Sequence, residues 1–207
     1  MNDLLLNLLL VQVVPFIYVF YCVIDYMKNK EAYHNYPQVK DKTKLVAKNL
    51  FVYMPLVHTT IFYLFPHQVI FKTGFKELMF FVFEIMFMDV YFHTTHRLCH
   101  QNKYLYKKIH RIHHEVDDTL GVFAFYCHPM EMVVVNMGNF YLTHIVFNHS
   151  YFHNLMMAMV GFGNTILSAH RNNNREGHHQ IHHHQRNVNF GLDLFMDRLM
   201  GTEALPE

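Results

Sequence analysis

Apolar residues along this chain come in blocks longer than the core-facing stripes of an ordinary soluble domain. Leu4 to Ile24 carries no charge over 21 residues, enough for a helix to cross a hydrocarbon layer of about 30 Å. Further apolar runs cover Leu50 to Phe65, Phe75 to about Thr95, Met130 to Phe147 and Leu155 to Ala169. Pro66 and Gly74 punctuate a turn after the second run, and residues 148–154 join the last two. The pattern predicts an all-α, integral membrane protein with about four to five membrane helices arranged in hairpins. The last two runs are short for a full crossing, so that hairpin is expected to be tilted or re-entrant. Leu4 to Ile24 is expected to be an uncleaved first membrane helix, with no basic region before it and no small-residue cleavage site after it.

The polar segments orient these helices. Residues 25–48 carry Lys28, Lys30, Lys40, Lys42, Lys44 and Lys48, and residues 97–118 carry Arg97, Lys103, Lys107, Lys108 and Arg111. An even number of crossings separates the two segments, so the preference of basic loops for the cytosol places both on that side. The N-terminus is then outside, and the polar tail from His170 is cytosolic if the second hairpin returns. A mildly amphipathic helix is expected near Leu192 to Met200. The chain divides into residues 1–49, a first membrane helix with its basic loop, and residues 50–207, the part that carries the chemistry.

Composition removes several classes of function. Charged residues make up 16% and hydrophobic ones 52%, against roughly 25% charged in soluble domains. A net charge of +1 gives no reason to expect a nucleic-acid partner. Cys22, Cys99 and Cys127 are scattered and build neither a disulfide framework nor a CxxC zinc knuckle.

Histidine is what remains, 19 of them. Three boxes stand out: His96 and His100 as HxxxH, then His110, His113, His114 and His179, His182, His183, both as HxxHH. Spacings of three and four share a helix face, so each box is expected to present its imidazoles in one direction. The topology puts all three boxes on one side of the membrane. It puts His67 and His149 at turns on the far side, with His153 near the second of them. His58 and His144 fall inside helices and His34 in a loop; these six read as core or interface histidines. Neutral imidazole suits zinc, copper, iron and nickel, and a pure nitrogen shell does not suit magnesium or calcium. One zinc takes three or four ligands and at least eight are on offer, which points to two metals. Activation of oxygen would favour iron. Asp89, Glu115, Asp117, Asp118, Glu131 and Glu176 are candidates to orient ring nitrogens.

The surroundings of the boxes carry a resemblance. Asp89 lies seven residues before His96-Arg97, as in a D-x6-HR-x2-H pattern, and residues 108–115 read KIHRIHHE. His128-Pro-Met-Glu131, Asn189-Phe-Gly191 and Asp197-Arg-Leu-Met-Gly-Thr202 complete the set. Over about residues 50–202 the chain resembles the membrane-bound fatty acid hydroxylase superfamily, which includes sterol desaturases, sterol methyl oxidases and lipid hydroxylases. The resemblance implies a non-haem di-iron oxidoreductase. Such an enzyme takes two electrons from a reductase or cytochrome b5 and uses oxygen to hydroxylate or desaturate a sterol or fatty-acyl lipid. No haem-binding HPGG segment and no dinucleotide fingerprint is present, so the donor would be a separate membrane partner. Carried over by motif position, the two irons would be held by His96, His100, His110, His113, His114, His170, His179, His182 and His183.

Departures from the pattern leave some assignments open. His170 matches an isolated histidine of the superfamily, with Arg171-Asn172 in place of the following Ser-Gly. His93 stands where an aromatic residue is usual, and either it or His128 is a further candidate ligand. His178 and His184 read as bystanders, and Met196 replaces a usual Trp. The short segment from His170 to His179 implies a reduced lid or substrate entrance. The endoplasmic reticulum, with the boxes facing the cytosol, is the expected location. Two other readings stand beside this one: a membrane zinc hydrolase acting on lipid amides or esters, and a metal-binding relative without catalysis.

Overall fold

A computed structural model describes residues 12–36, 39–65, 75–116, 120–147, 151–170 and 177–205, which form helices and turns with no strand among them. Helix α1 spans Val14–Lys28, α2 Lys30–Asn35, α3 Val39–Leu64 and α4 Phe75–Gln101, followed by α5 at Lys103–Lys108. Two 3-10 turns, His110–Glu115 and Gly121–Phe123, lead to a short turn at Pro129–Glu131. A π-turn at Met132–Asn136 then precedes α6, Gly138–Phe147. Helix α7, Tyr151–Asn164, runs into a second π-turn, Thr165–Ala169, and α8 (His178–Gln185) and α9 (Phe195–Met200) close the chain. The first part of the run from Leu4, the turn at Pro66 and Gly74, and the join at residues 148–150 lie outside the described residues.

Two helices, Val39–Leu64 and Leu78–Gln101, are long and apolar enough to cross a membrane. Only 33% and 22% of their apolar windows are buried, the reverse of a core helix in a soluble domain. Phe51, Val52 and Leu56 on α3 and Leu78, Met79, Val82, Phe83 and Met86 on α4 are exposed. A surface this apolar needs a non-aqueous neighbour, and a helix can meet lipid because its backbone is satisfied internally. These are features of a membrane protein. The sequence predicts four to five crossings; the other described helices are shorter, α1 with 15 residues and α6 with 10.

The core lies where α1, α3 and α7 meet the loop from Gly121 to Cys127. Tyr18 of α1 is fully enclosed: it stacks on Phe125 at 4.7 Å, meets Phe162 edge-on at 5.6 Å, and donates its hydroxyl towards the Val122 carbonyl at 3.1 Å. Asp25 accepts hydrogen bonds from Asn29, Tyr33 and the Gly121 backbone N–H at 2.7, 2.6 and 3.0 Å. The first helix is thereby tied to the segment that follows the second histidine box. Residues 25–48, expected as a loop, are mostly helical. Lys42 is buried there because its ammonium donates to the Glu115 carbonyl at 3.1 Å and lies 4.5 Å over the Tyr126 ring. At the π-turn inside α3, Asn49 donates to the carbonyls of Phe125 and Cys127, both at 2.9 Å.

Candidate metal centre

Helix α4 sets His96 and His100 one turn apart with their rings 5.2 Å from each other. The helix stops at Gln101 because Asn102 caps the next one, its side-chain oxygen accepting from the N–H groups of Tyr104 and Leu105 at 2.9 and 3.1 Å. The chain doubles back through α5, and the Nε2 atoms of His110 and His100 come to 2.8 Å. Helix α8 then brings the third box into the same space.

The eight histidines of the boxes form two groups. His96, His100, His110, His114 and His182 make one, and His113, His179 and His183 the other; within each, the ligating atoms lie within 4.8 Å of one another. Each HxxHH box is therefore shared between the groups, not aimed in one direction as its spacing suggests. Successive residues of a helix differ by about 100° around the axis, so neighbouring histidines of a pair cannot face the same way. His114 faces one group and His113 the other, and His182 and His183 divide likewise. The second box is wound as a 3-10 turn and the third as an α-helix, and both divide in this way. The groups are adjacent, with the His114 and His183 rings 4.5 Å apart.

The outer nitrogens settle which atoms face inward. Nδ1 of His96 meets the Phe190 carbonyl at 2.8 Å, that of His182 the Val188 carbonyl at 2.7 Å, and that of His183 the Val116 carbonyl at 2.8 Å. His113 uses the Tyr126 carbonyl at 3.1 Å, and His110 the Glu131 carboxylate at 2.8 Å. A carbonyl only accepts, so the rings of His96, His113, His182 and His183 carry their hydrogen on Nδ1 and turn a bare Nε2 inward, and an ionised Glu131 sets His110 in the same way. Five Nε2–Nε2 separations in the group of five run from 2.8 to 3.3 Å, and the three in the group of three from 2.9 to 3.2 Å. Facing lone pairs repel at that distance unless a cation lies between them. Nitrogens bound at about 2.1 Å to one metal sit roughly 3.0–3.4 Å apart. The residues fit two metal ions.

Burial keeps these rings neutral. It lowers His110 to about 3 and holds His113, His114, His179, His182 and His183 below the ordinary imidazole value of 6.5. In the unfolded chain the same rings take protons near 6.5. The folded state binds fewer protons, so its stability is full above that value and is lost as pH falls below it. Metal-free protein is therefore expected to lose thermal stability steeply between about pH 6.5 and 5. A melting midpoint flat across that window would contradict this.

The remaining histidines separate from the centre. His170 stands beside the group of three, its ring 5.1 Å from His179, with Nδ1 on the Thr165 carbonyl at 2.5 Å. His93 is buried but turned to the tail, 3.4 Å from the Thr202 hydroxyl and 3.6 Å from Asp197. His128 accepts from the Met130 N–H at 3.1 Å and caps the turn at Pro129. His178 and His184 belong to neither group. His58 packs on Tyr141, His144 meets the Phe65 carbonyl at 2.7 Å, and His153 pairs with Glu84. His67 and His149 lie outside the described residues.

Of the candidate acids, Glu131 alone among the described residues touches a box histidine. Glu115 accepts from the Tyr126 hydroxyl at 3.0 Å, and Asp117, Asp118 and Glu176 lie outside the described residues. Asp89 instead accepts the N–H groups of Asp193 and Met196, at 2.9 and 2.8 Å. Asp197 takes those of Phe190 and Gly191 at 2.9 and 2.7 Å, and the Thr202 hydroxyl at 2.6 Å. A side chain at Gly191 would collide with both carboxylates. These acids fold the tail so that the Phe190 carbonyl reaches His96 and its ring packs on His96, His100 and His182 at 5.8, 5.4 and 5.4 Å.

A mainly apolar, partly open cavity borders this centre. His96, His113, His170 and His179 line it together with Phe92, Phe125, Phe140 and Phe162. Glu131, Asn136, Asn139 and Thr165 add polar groups to its wall; no sequence signal marks the two asparagines, nor the backbone carbonyls that orient the rings.

Helices of membrane length, a polyhistidine centre suited to two metals and an apolar cavity beside it define a class of membrane metalloprotein. Residues 80–202, more than half of the chain, match the family model described as fatty acid hydroxylase, and the chain belongs to that family. It is similar to a putative methylsterol monooxygenase of Dictyostelium discoideum, 29% identical over 138 residues that cover 59% of this chain and 49% of the relative. Sphinganine C4-monooxygenase 1 of Arabidopsis thaliana is 30% identical over 139 residues, 59% of this chain and 53% of that protein. Fatty acid hydroxylase domain-containing protein 2 of Homo sapiens is 47% identical over 49 residues, 24% of this chain and 14% of that protein. The chain thus spans about half or less of the length of these relatives. No solved structure matches it.

Proposed function

We propose that this chain is an oxygen-dependent di-iron lipid hydroxylase or desaturase acting on a sterol or fatty-acyl substrate. The observation that carries this reading is the pair of imidazole groups, five and three, opening on an apolar cavity. Family membership and the monooxygenase relatives support oxidative lipid chemistry. His96, His100, His110, His114 and His182 would hold one metal and His113, His179 and His183 the other, with His170 as a ninth ligand beside the smaller group. Two irons so held would supply oxygen activation and removal of hydrogen from an unactivated carbon. The chain's own part is to fix the ring tautomers, exclude water from the cavity and hold the lipid against the histidine wall.

Electrons would come from a separate partner such as cytochrome b5 or a reductase. His100 is the partly exposed member of the group of five, and it borders an open cleft lined by Arg97, Tyr106 and Arg186. Two guanidinium groups at that edge suit a partner with an acidic face. Placement in the endoplasmic reticulum membrane, with the boxes towards the cytosol, belongs to the same reading.

The test is lipid mass spectrometry on host membranes containing the chain, against His113→Ala at matched abundance with a competent reductase confirmed. The expected result is a host lipid gaining one oxygen or losing two hydrogens, and the product vanishing in the variant. Matching lipid profiles across hosts that supply sterols, sphingolipids and fatty acyl lipids would contradict the proposal.

A further inference from the structure

Helix α9 is built inside out. Asp197 points inward and is fully buried, accepting from the N–H groups of Phe190 and Gly191 and from the Thr202 hydroxyl. Phe195, Leu199 and Met200 turn outward, Leu199 with 69% of its surface exposed, and Leu205 beyond the helix is exposed as well. At about 100° per residue the three helical side chains share an arc of about 140°, with Asp197 outside it. A surface helix in water shows its carboxylates and hides its apolar side chains. The reverse arrangement needs a non-aqueous neighbour.

Where α9 is attached says what that neighbour is. Asp89 of α4 accepts the N–H groups of Asp193 and Met196, and His93 lies 3.6 Å from Asp197. Exposed apolar residues on α4 run from Leu78 past this level to Leu98. That is about 30 Å at 1.5 Å per residue, the thickness of a hydrocarbon layer. Lipid that reaches Leu98 therefore also lies beside α9. Asp193 and Arg198 are exposed too, Arg198 paired with Glu203 at 2.8 Å. Charges on that edge set the helix at the headgroup boundary and not deep in the hydrocarbon. The tail to which α9 belongs carries the Phe190 carbonyl, which meets Nδ1 of His96 at 2.8 Å.

We propose that α9 is seated in the membrane boundary through Phe195, Leu199 and Met200, and that this seat braces the tail against the group of five. The occupant of the patch is the bilayer, because the patch continues the apolar surface of α4. The inference rests on the metal centre and not on the oxidation chemistry, so an absent lipid product would count against the function alone.

The chain contains no tryptophan, so Phe195→Trp and Leu199→Trp each carry a single reporter. The full chain, iron-loaded in phosphatidylcholine nanodiscs, is read with lipids brominated along the acyl chain and with acrylamide in the water. Both reporters are expected to lose emission to brominated lipid, most to bromine about 5–10 Å into the boundary, and little to acrylamide. Quenching by acrylamide alone would overturn the seat. Quenching by neither would overturn it too, since protein would then cover the patch. Two reporters keep the test standing if one variant fails to fold.

The brace is read by metal loss to a graded chelator in the same nanodiscs. Phe195→Ser with Leu199→Ser is expected to weaken metal binding about tenfold, the lower end of what losing an orienting partner costs; Leu199→Ser alone runs beside it. Phe195→Leu with Leu199→Phe keeps the apolar surface and changes its shape. Fluid lipid tolerates that change and a fitted protein partner does not, so this pair is expected to hold metal as the parent does. Unchanged affinity in the serine variants, or an equal loss in the swapped pair, would overturn the brace.

Discussion

His182→Ala is expected to abolish oxidised lipid and release metal from the group of five, while His184→Ala, two positions along the same helix, leaves both unchanged. His182 is wholly buried, with Nδ1 fixed by the Val188 carbonyl and its ring 4.4 Å from His96 and 4.7 Å from His100. His184 is exposed. Removing a group that merely orients a ligand costs roughly 10–100-fold in metal affinity, and losing a ligand should cost more than that. Elemental analysis of the two purified variants, with lipid product measured alongside, checks the pair. Full metal content in His182→Ala would contradict the proposed ligand set.

The second large effect is expected at Glu131, which no metal would touch. Its carboxylate holds the Nδ1 hydrogen of His110 at 2.8 Å, both side chains being buried. Glu131→Ala removes that acceptor and frees the His110 ring to turn or to move its hydrogen to Nε2, where a metal cannot use it. A loss of roughly 10–100-fold in metal affinity follows. Glu131→Gln keeps an accepting oxygen at the same reach and is expected to retain most of the affinity. Competition against a graded chelator reads both numbers. If the alanine variant holds metal as firmly as the parent, the carboxylate has been misassigned.

Much of this centre is legible in the amino-acid sequence. Histidine spacing and flanking motifs pick out all eight residues that converge, because imidazole is rare enough at repeated short spacing to be read directly. The division into five and three is not legible. It depends on adjacent histidines pointing apart around an axis, which a box written as letters does not show. Asp89 and Asp197 are visible as motif members, yet their task is to hold backbone N–H groups of the tail, and backbone partners leave no side-chain signature. The same is true of the Phe190, Val188, Val116 and Tyr126 carbonyls that set the tautomers.

The fold is legible in class and less so in its boundaries. Apolar runs beginning at Leu50 and Phe75 do become helices, but α3 starts eleven residues before Leu50, inside the lysine-rich segment. Charge counting assigns that segment to a loop; Lys42 enters the structure because a carbonyl and an aromatic face receive its ammonium. The run from Met130 reads as one helix and is divided by the π-turn at Met132–Asn136.

The central claim is that eight or nine imidazoles hold two irons. It is met most directly by elemental analysis of the full chain, purified in detergent from cells grown with iron and zinc both available. The account predicts about two irons per chain, on the ligand counts the two groups provide, and little zinc. Stoichiometric zinc, or a chain that folds and stays intact with no tightly held metal, would contradict it.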